Sequence, residues 1–343
     1  MRRKKSRWLL KSTLGSLILL IFFIPLYLNT PVGESDEETI VEIPPGASFR
    51  QVSNLLADKK LVSWPWLFDI LAYVRGDEAK IKAGEFEVHG NWNPNELLNY
   101  LIAGKSRIYK ITIPEGLRYT EITDRLVEQG LGRQERYRQL FNNRSLLAKT
   151  GWKDATTLEG MLYPETYFFT KLQTEEQILL KMVEQLNHHY PESYHKRAEE
   201  LGWQDYKILI IASIIEKETG QERDRPFIAA VFHNRLKKNM RLETDPTVIY
   251  GLTDFSGNLT KKHLKTYTPY NTYRIKGLPP TPIASPGEAS IHSALYPAEV
   301  DYLYFVAKGD GTTFFSSNLK THNRAVKHYQ IQKNLDQPFN TKP

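Results

Sequence analysis

The apolar positions of this chain fall into short periodic runs, and one run recurs. Ile43-Pro-Pro-Gly46 is followed by Phe49, Val52, Leu56 and Leu61, and Ile113-Pro-Glu-Gly116 is followed by Tyr119, Ile122, Leu126 and Leu131 at the same spacing. Each copy predicts a strand, a Pro–Gly turn and a short amphipathic helix. Two copies imply two related βα units, too few for a solenoid. Between them, Gly84–Val88 reads as a strand, and Pro94–Ala103 reads as a helix opened by proline and closed by Gly104. Further on, Thr174-Glu-Glu-Gln177 has the form of a capping box for a helix through about His188. Helices are also predicted over Tyr206–Thr219, Asp224–Leu236 and Thr321–Leu335. Leu303–Val306 and Thr312–Phe315 read as a hairpin around Lys-Gly-Asp-Gly.

The first residues follow a different pattern. Arg2, Arg3, Lys4, Lys5 and Arg7 precede Trp8–Leu28, and Leu14–Leu28 carries no charge. With Lys11 able to snorkel, that stretch is long enough to span a bilayer. The following Asn-Thr-Pro-Val-Gly-Glu-Ser has no clear small-x-small cleavage site, so an uncleaved anchor is expected over a signal peptide. The basic cluster places the N-terminus in the cytoplasm and the rest outside. The expected organisation is a basic tail and transmembrane anchor over 1–30, a linker over 31–42, a small α/β domain over 43–105 and a larger α+β domain over 106–343.

The net charge is +7, of which the N-terminal cluster holds five, so the remainder is nearly balanced. That argues against nucleic-acid binding, which wants a basic patch on a folded domain. The absence of cysteine excludes disulfides and a lipoprotein anchor. The nine histidines show no His-Glu-x-x-His spacing, and neither a metal nor an organic cofactor is implied. No Gly-x-Ser-x-Gly elbow occurs. Lys149-Thr-Gly151, Ser193-Tyr-His-Lys196 and Ser316-Ser-Asn318 copy penicillin-binding signatures in the wrong order and read as chance.

The chemistry concentrates at Glu218, the end of Ile208–Gly220. At about 100° per residue, Ile208, Ile211, Ala212, Ile214 and Ile215 share one broad face, and Glu218 continues it. Glu216 is turned away, toward water or a salt bridge. A carboxyl held against aliphatic groups has a raised pKa and suits a general acid. The alternative is a frayed helix end with a solvated side chain. Rigid polar segments follow: Thr244–Gly251, Tyr270–Tyr273, Gly277–Pro280, Ile283–Gly287 and Thr321–Asn323. They suit an extended polar ligand such as a sugar chain, or are ordinary turns and caps.

Ala212–Thr219, Glu222-Arg223, Phe232–Leu236, Met240–Gly251, Tyr270–Tyr273, Gly277–Pro280 and Tyr302–Val306 together resemble the endolytic murein transglycosylase family (MltG, YceG-like), over about Ile43 to Asn334. The resemblance implies a single-pass inner-membrane protein with a LysM-like small domain and an extracytoplasmic catalytic domain. It further implies cleavage of MurNAc–GlcNAc linkages in nascent peptidoglycan near the synthases, leaving 1,6-anhydroMurNAc ends and limiting strand length. The family's catalytic glutamate corresponds to Glu218. Ser213, Asp245, Tyr270, Asn271, Tyr273, Ser285 and Asn323 are the candidate substrate-binding residues, Asp245 being also a good helix cap. A non-catalytic scaffold that binds glycan strands and tethers synthases is the alternative.

Overall fold

The computed structural model describes residues 23–32, 37–253 and 255–331. Most of the expected membrane anchor, part of the linker and the end of the last expected helix lie outside these residues. Among the described residues, no helix is long and apolar enough to cross a membrane.

The chain forms two units, Met1–Tyr109 with Phe168–Gln173, and Lys110–Tyr167 with Thr174–Pro343. In the first, β1 (Glu38–Ile43) pairs antiparallel with β2 (Gly84–His89), Val41 facing Phe86 and Ile43 facing Gly84. Helices α1 (Phe49–Asp58) and α2 (Pro65–Arg75) connect them, and α3 (Pro94–Ala103) follows. Val41, Val52, Leu56, Phe68, Phe86, Leu97 and Leu101 close the core. The Asn93 carboxamide accepts the Glu96 N–H and the Glu96 carboxylate accepts the Asn93 N–H, so α3 starts where the sequence signals. Helix α2 has no polar face to give it a period, and the sequence does not announce it.

Strand β3 (Tyr109–Thr112) pairs with β4 (Thr166–Phe169). The helices of the second unit are α4 (Tyr119–Glu128), α5 (Gln134–Leu140), α6 (Arg144–Ala148), α7 (Glu175–His188), α8 (Glu192–Glu200), α9 (Asp205–Glu218), α10 (Arg225–Lys237), α11 (Asp245–Tyr250), α12 (Lys261–Lys265) and α13 (Glu288–Leu295). Every residue from Ile208 to Ile215 is buried, with α10 and α13 packed on α9. The apolar face expected of α9 is therefore an apolar girdle, since a helix enclosed on all sides needs no polar stripe. The antiparallel hairpin β5 (Tyr304–Ala307) and β6 (Thr313–Ser316) and helix α14 (Leu319–Val326) complete the unit. Asn318 caps α14 by accepting the Thr321 N–H, so this helix starts two residues earlier than predicted.

The sequence repeat is a structural one. Gly46 and Gly116 both take φ of 77°, a left-handed conformation that favours glycine. The helices that follow, α1 and α4, are both ten residues long. Val52 and Leu56 are buried in one, Ile122 and Leu126 in the other.

Candidate active site

Glu218 is the last residue of α9, and Thr219 already has extended backbone. The enclosed turns before it carry the carboxyl into a cavity of about 540 Å³ lined also by Arg235, Glu243, Asp245, Tyr273, Phe305 and His322. Burial pushes the Glu218 carboxyl up to about 7, the negative charge of Asp245 adds to the rise, and the Thr244 hydroxyl and Arg235 oppose it. The C-terminal end of a helix also disfavours a carboxylate. The side chain is half-buried, so the helix does not fray before it.

Thr244 donates its hydroxyl hydrogen to Glu218 Oε1. As the residue before α11 it is placed to cap that helix, but its side chain makes no cap bond and goes to the glutamate. The backbone is held instead: Thr244 N–H donates to Thr272 Oγ1 at 3.0 Å, and Thr247 Oγ1 donates to the Thr244 carbonyl at 2.8 Å. With Oε1 accepting from Thr244, the Glu218 proton belongs on Oε2. Asp245 opens α11 and accepts the Tyr273 hydroxyl at 2.8 Å.

The other wall is fixed by Arg235 near the end of α10. Its Nε donates to the Leu303 carbonyl at 2.6 Å, and Nη1 donates to the carbonyls of Arg241 and Leu242 and to Glu243. The guanidinium lies over the Tyr304 ring, against which His322 stacks. Burial and then Arg235 lower the His322 pKa, which favours the neutral ring, and its buried Nδ1 has no partner among the described residues.

Glu216 points away from this cavity. It accepts from Arg225 at 3.4 Å and from the Gly287 N–H at 3.0 Å, the salt bridge being largely buried.

Of the candidate residues, Glu218, Asp245 and Tyr273 gather on the cavity. The others do not line it, and all but Ser285 and Asn323 have side-chain polar atoms bonded within the protein. Ser213 donates to the Ile210 carbonyl and accepts the Ile283 N–H. Tyr270 bonds Thr281. Buried Asn271 donates to the carbonyls of His263, Leu264 and Thr266 and accepts the Tyr273 N–H, which shapes the loop carrying Tyr273. Ser285 is buried, and its backbone exchanges bonds with Gly116 and Leu117. Asn323 is exposed on α14, while its neighbour His322 faces the cavity. Sequence reasoning passed over Thr244, Arg235 and His322, although each stands within or beside a segment it marked.

A second buried acid was also missed. Glu159 accepts from the Tyr119 N–H and the Tyr250 hydroxyl, at the end of α11 remote from Thr244, and burial pushes it up to about 7. Its neighbours are structural, and it does not line the Glu218 cavity.

A mixed α+β unit presenting one proton-bearing carboxyl to a polar cavity has the build of an acid–base enzyme. The chain belongs to the YceG-like family, whose profile matches residues 41–328. The endolytic murein transglycosylase of Bacillus subtilis (strain 168) is 32% identical over 323 residues, covering 90% of this chain and 89% of that protein. The endolytic murein transglycosylase of Streptococcus pneumoniae (serotype 2) is 26% identical over 326 residues, 86% of this chain and 59% of that one. The crystal structure of a yceG-like protein from Listeria monocytogenes superposes with a TM-score of 0.58 at 35% identity, covering 84% of this chain and 99% of that one.

Proposed function

We propose that this chain is an endolytic murein transglycosylase that cleaves MurNAc–GlcNAc linkages within nascent strands and leaves 1,6-anhydroMurNAc ends, so limiting strand length. The observation that carries this reading is the Glu218 carboxyl, raised to about 7 and bonded on one oxygen by Thr244. Near neutrality such a group is poised both to give and to take a proton. Glu218 Oε2 protonates the glycosidic oxygen as the C1–O bond breaks. The carboxylate then accepts the proton of the MurNAc C6 hydroxyl, whose oxygen closes on C1. No water is consumed, and the intramolecular hydroxyl stands in for the second carboxylate that hydrolytic glycosidases use. Asp245, held by Tyr273, offers negative charge to the oxocarbenium-like transition state, and neutral His322 offers an N–H.

In the same reading, residues 1–30 anchor the chain in the inner membrane, 43–105 form a LysM-like domain, and 106–343 form an extracytoplasmic catalytic domain beside the peptidoglycan synthases. The apolar run Trp8–Leu28 behind a basic cluster supports the anchor, and the β–α–α–β order of the small unit supports the LysM-like assignment.

Digestion of purified peptidoglycan followed by mass spectrometry tests the function. Anhydro ends are expected from the native chain, with a loss of roughly 10²–10⁴-fold in Glu218→Gln. Reducing ends carrying added water would identify a hydrolase, and no new ends a binding scaffold. An active Glu218→Gln beside an inactive Glu216→Gln would assign the wrong carboxylate.

A further inference from the structure

Helix α2 exposes the wrong kind of surface. Its sequence Pro-Trp-Leu-Phe-Asp-Ile-Leu-Ala-Tyr-Val-Arg contains only two charged residues. One side, Leu67, Phe68, Leu71 and Ala72, enters the core of the first unit. The other side is apolar too: Trp66, Ile70, Tyr73 and Val74 are 52%, 46%, 72% and 77% exposed. At 100° per residue these four fall within a stripe about 100° wide, running about 12 Å along the axis. Asp69, at its flank, is bonded to Arg50 and Ser53 and turned from the stripe. A helix that is apolar on both sides is ordinarily covered on both. Among the described residues of this unit nothing covers the second side.

The stripe begins where the chain leaves the expected anchor. Residues 23–29 are helical, and this helix packs on Trp64, the residue before α2. The Phe23 and Tyr27 rings lie 5.3 and 5.7 Å from the Trp64 ring, and the Tyr27 hydroxyl donates to the Trp64 carbonyl. The end of the anchor and the start of the stripe are thus one packed junction. The stripe's composition fits the same solvent. Trp and Tyr collect at the membrane–water interface, and aliphatic side chains reach the acyl boundary below. A glycan would want convergent hydrogen-bonding groups, and this stripe offers only the Tyr73 hydroxyl and the Trp66 N–H.

We propose that α2 docks on the bilayer surface through Trp66, Ile70, Tyr73 and Val74, so that the small unit lies on the membrane from which its anchor emerges. This rests on the reading of residues 1–30 as a membrane anchor. Docking holds the unit at the surface where nascent strands appear, without a protein partner.

The chain has no cysteine, so Val74→Cys, and Glu42→Cys at an exposed position of β1 as reference, each carry one environment-sensitive fluorophore in the full chain. The chain is reconstituted into vesicles of phosphatidylcholine and phosphatidylglycerol. The Val74 label is expected to shift to the blue, to be quenched by spin labels on the lipid, and to be shielded from iodide. The Glu42 label is expected to do the reverse. Adding Ile70→Ser with Tyr73→Ser, both at exposed positions, is expected to return the Val74 label to iodide. A Val74 label open to iodide and untouched by lipid quenchers, in chain that stays with the vesicles through an alkaline wash, overturns docking and leaves the anchor standing. Shielding from both quenchers places protein on the stripe and also overturns it. Chain lost from the vesicles in that wash overturns the anchor itself.

Discussion

The chemistry of this protein rests on how one carboxyl is surrounded. Glu218 was legible because helical periodicity continues the aliphatic face of α9 to its last turn. Thr244 was not, because its hydroxyl serves a residue 26 positions away. Asn271 has the look of a ligand-binding group, but its amide donates to the carbonyls of His263 and Leu264 in α12 and of Thr266 just after it. Thr244→Val removes the hydrogen bond that holds the Glu218 pKa down. The sign is fixed: the acid stays protonated to higher pH, so the alkaline limb of kcat/KM against pH should move up. The rate should fall roughly 10–100-fold, the size of one hydrogen bond to a charged group. Thr244→Ser should restore both. An unmoved limb in Thr244→Val would mean that the hydroxyl does not govern the acid.

At the scale of elements, the site is assembled from ends. Glu218 closes α9, Asp245 opens α11, Arg235 stands near the end of α10 and His322 lies in α14. The turn at Gly116 braces the end of α9, since its carbonyl accepts Lys217 Nζ at 2.9 Å. Gly116 has φ of 77°, and a Cβ there would meet nothing closer than 3.7 Å. Gly116→Ala should therefore cost about 1–2 kcal/mol through backbone strain alone. Gly46→Ala, at the same φ and with open space around it, should cost a similar amount in the first unit. Denaturant midpoints measure both, and a null effect at Gly116 would separate the two turns. The sequence announced this repeat because glycine is nearly obligatory at that φ and the apolar spacing after it is fixed. It did not announce α2, whose two apolar sides erase the period, whereas Thr-Asp-Pro-Thr already offered a helix start where α11 begins.

For the molecule as a whole, the buried Glu159 carboxyl contributes to the pH dependence of stability. Glu159 is 3% exposed, and its folded pKa is about 7 against an ordinary 4.5. A raised folded value means that the folded state holds the proton more tightly. Its contribution is complete below about 4.5 and is lost as pH rises through about 7. Thermal stability should fall across that window, and Glu159→Gln should flatten the fall while leaving the Tyr119 N–H an acceptor. An unchanged slope in the variant would remove Glu159 as its source.

What the sequence determined alone is local: the repeat, the caps, the buried helix and the acid at its tip. These follow from spacing within one or two turns, where periodicity and capping chemistry act. What the tertiary structure decided is which polar groups meet that acid. Thr244 and Asp245 at the start of α11, Tyr273 in a loop and His322 in α14 are far apart along the chain, and they come together around the end of α9. A hydroxyl or imidazole looks the same along the chain whether it serves its own turn or a distant carboxyl, because the difference lies only in what packing brings within hydrogen-bond reach.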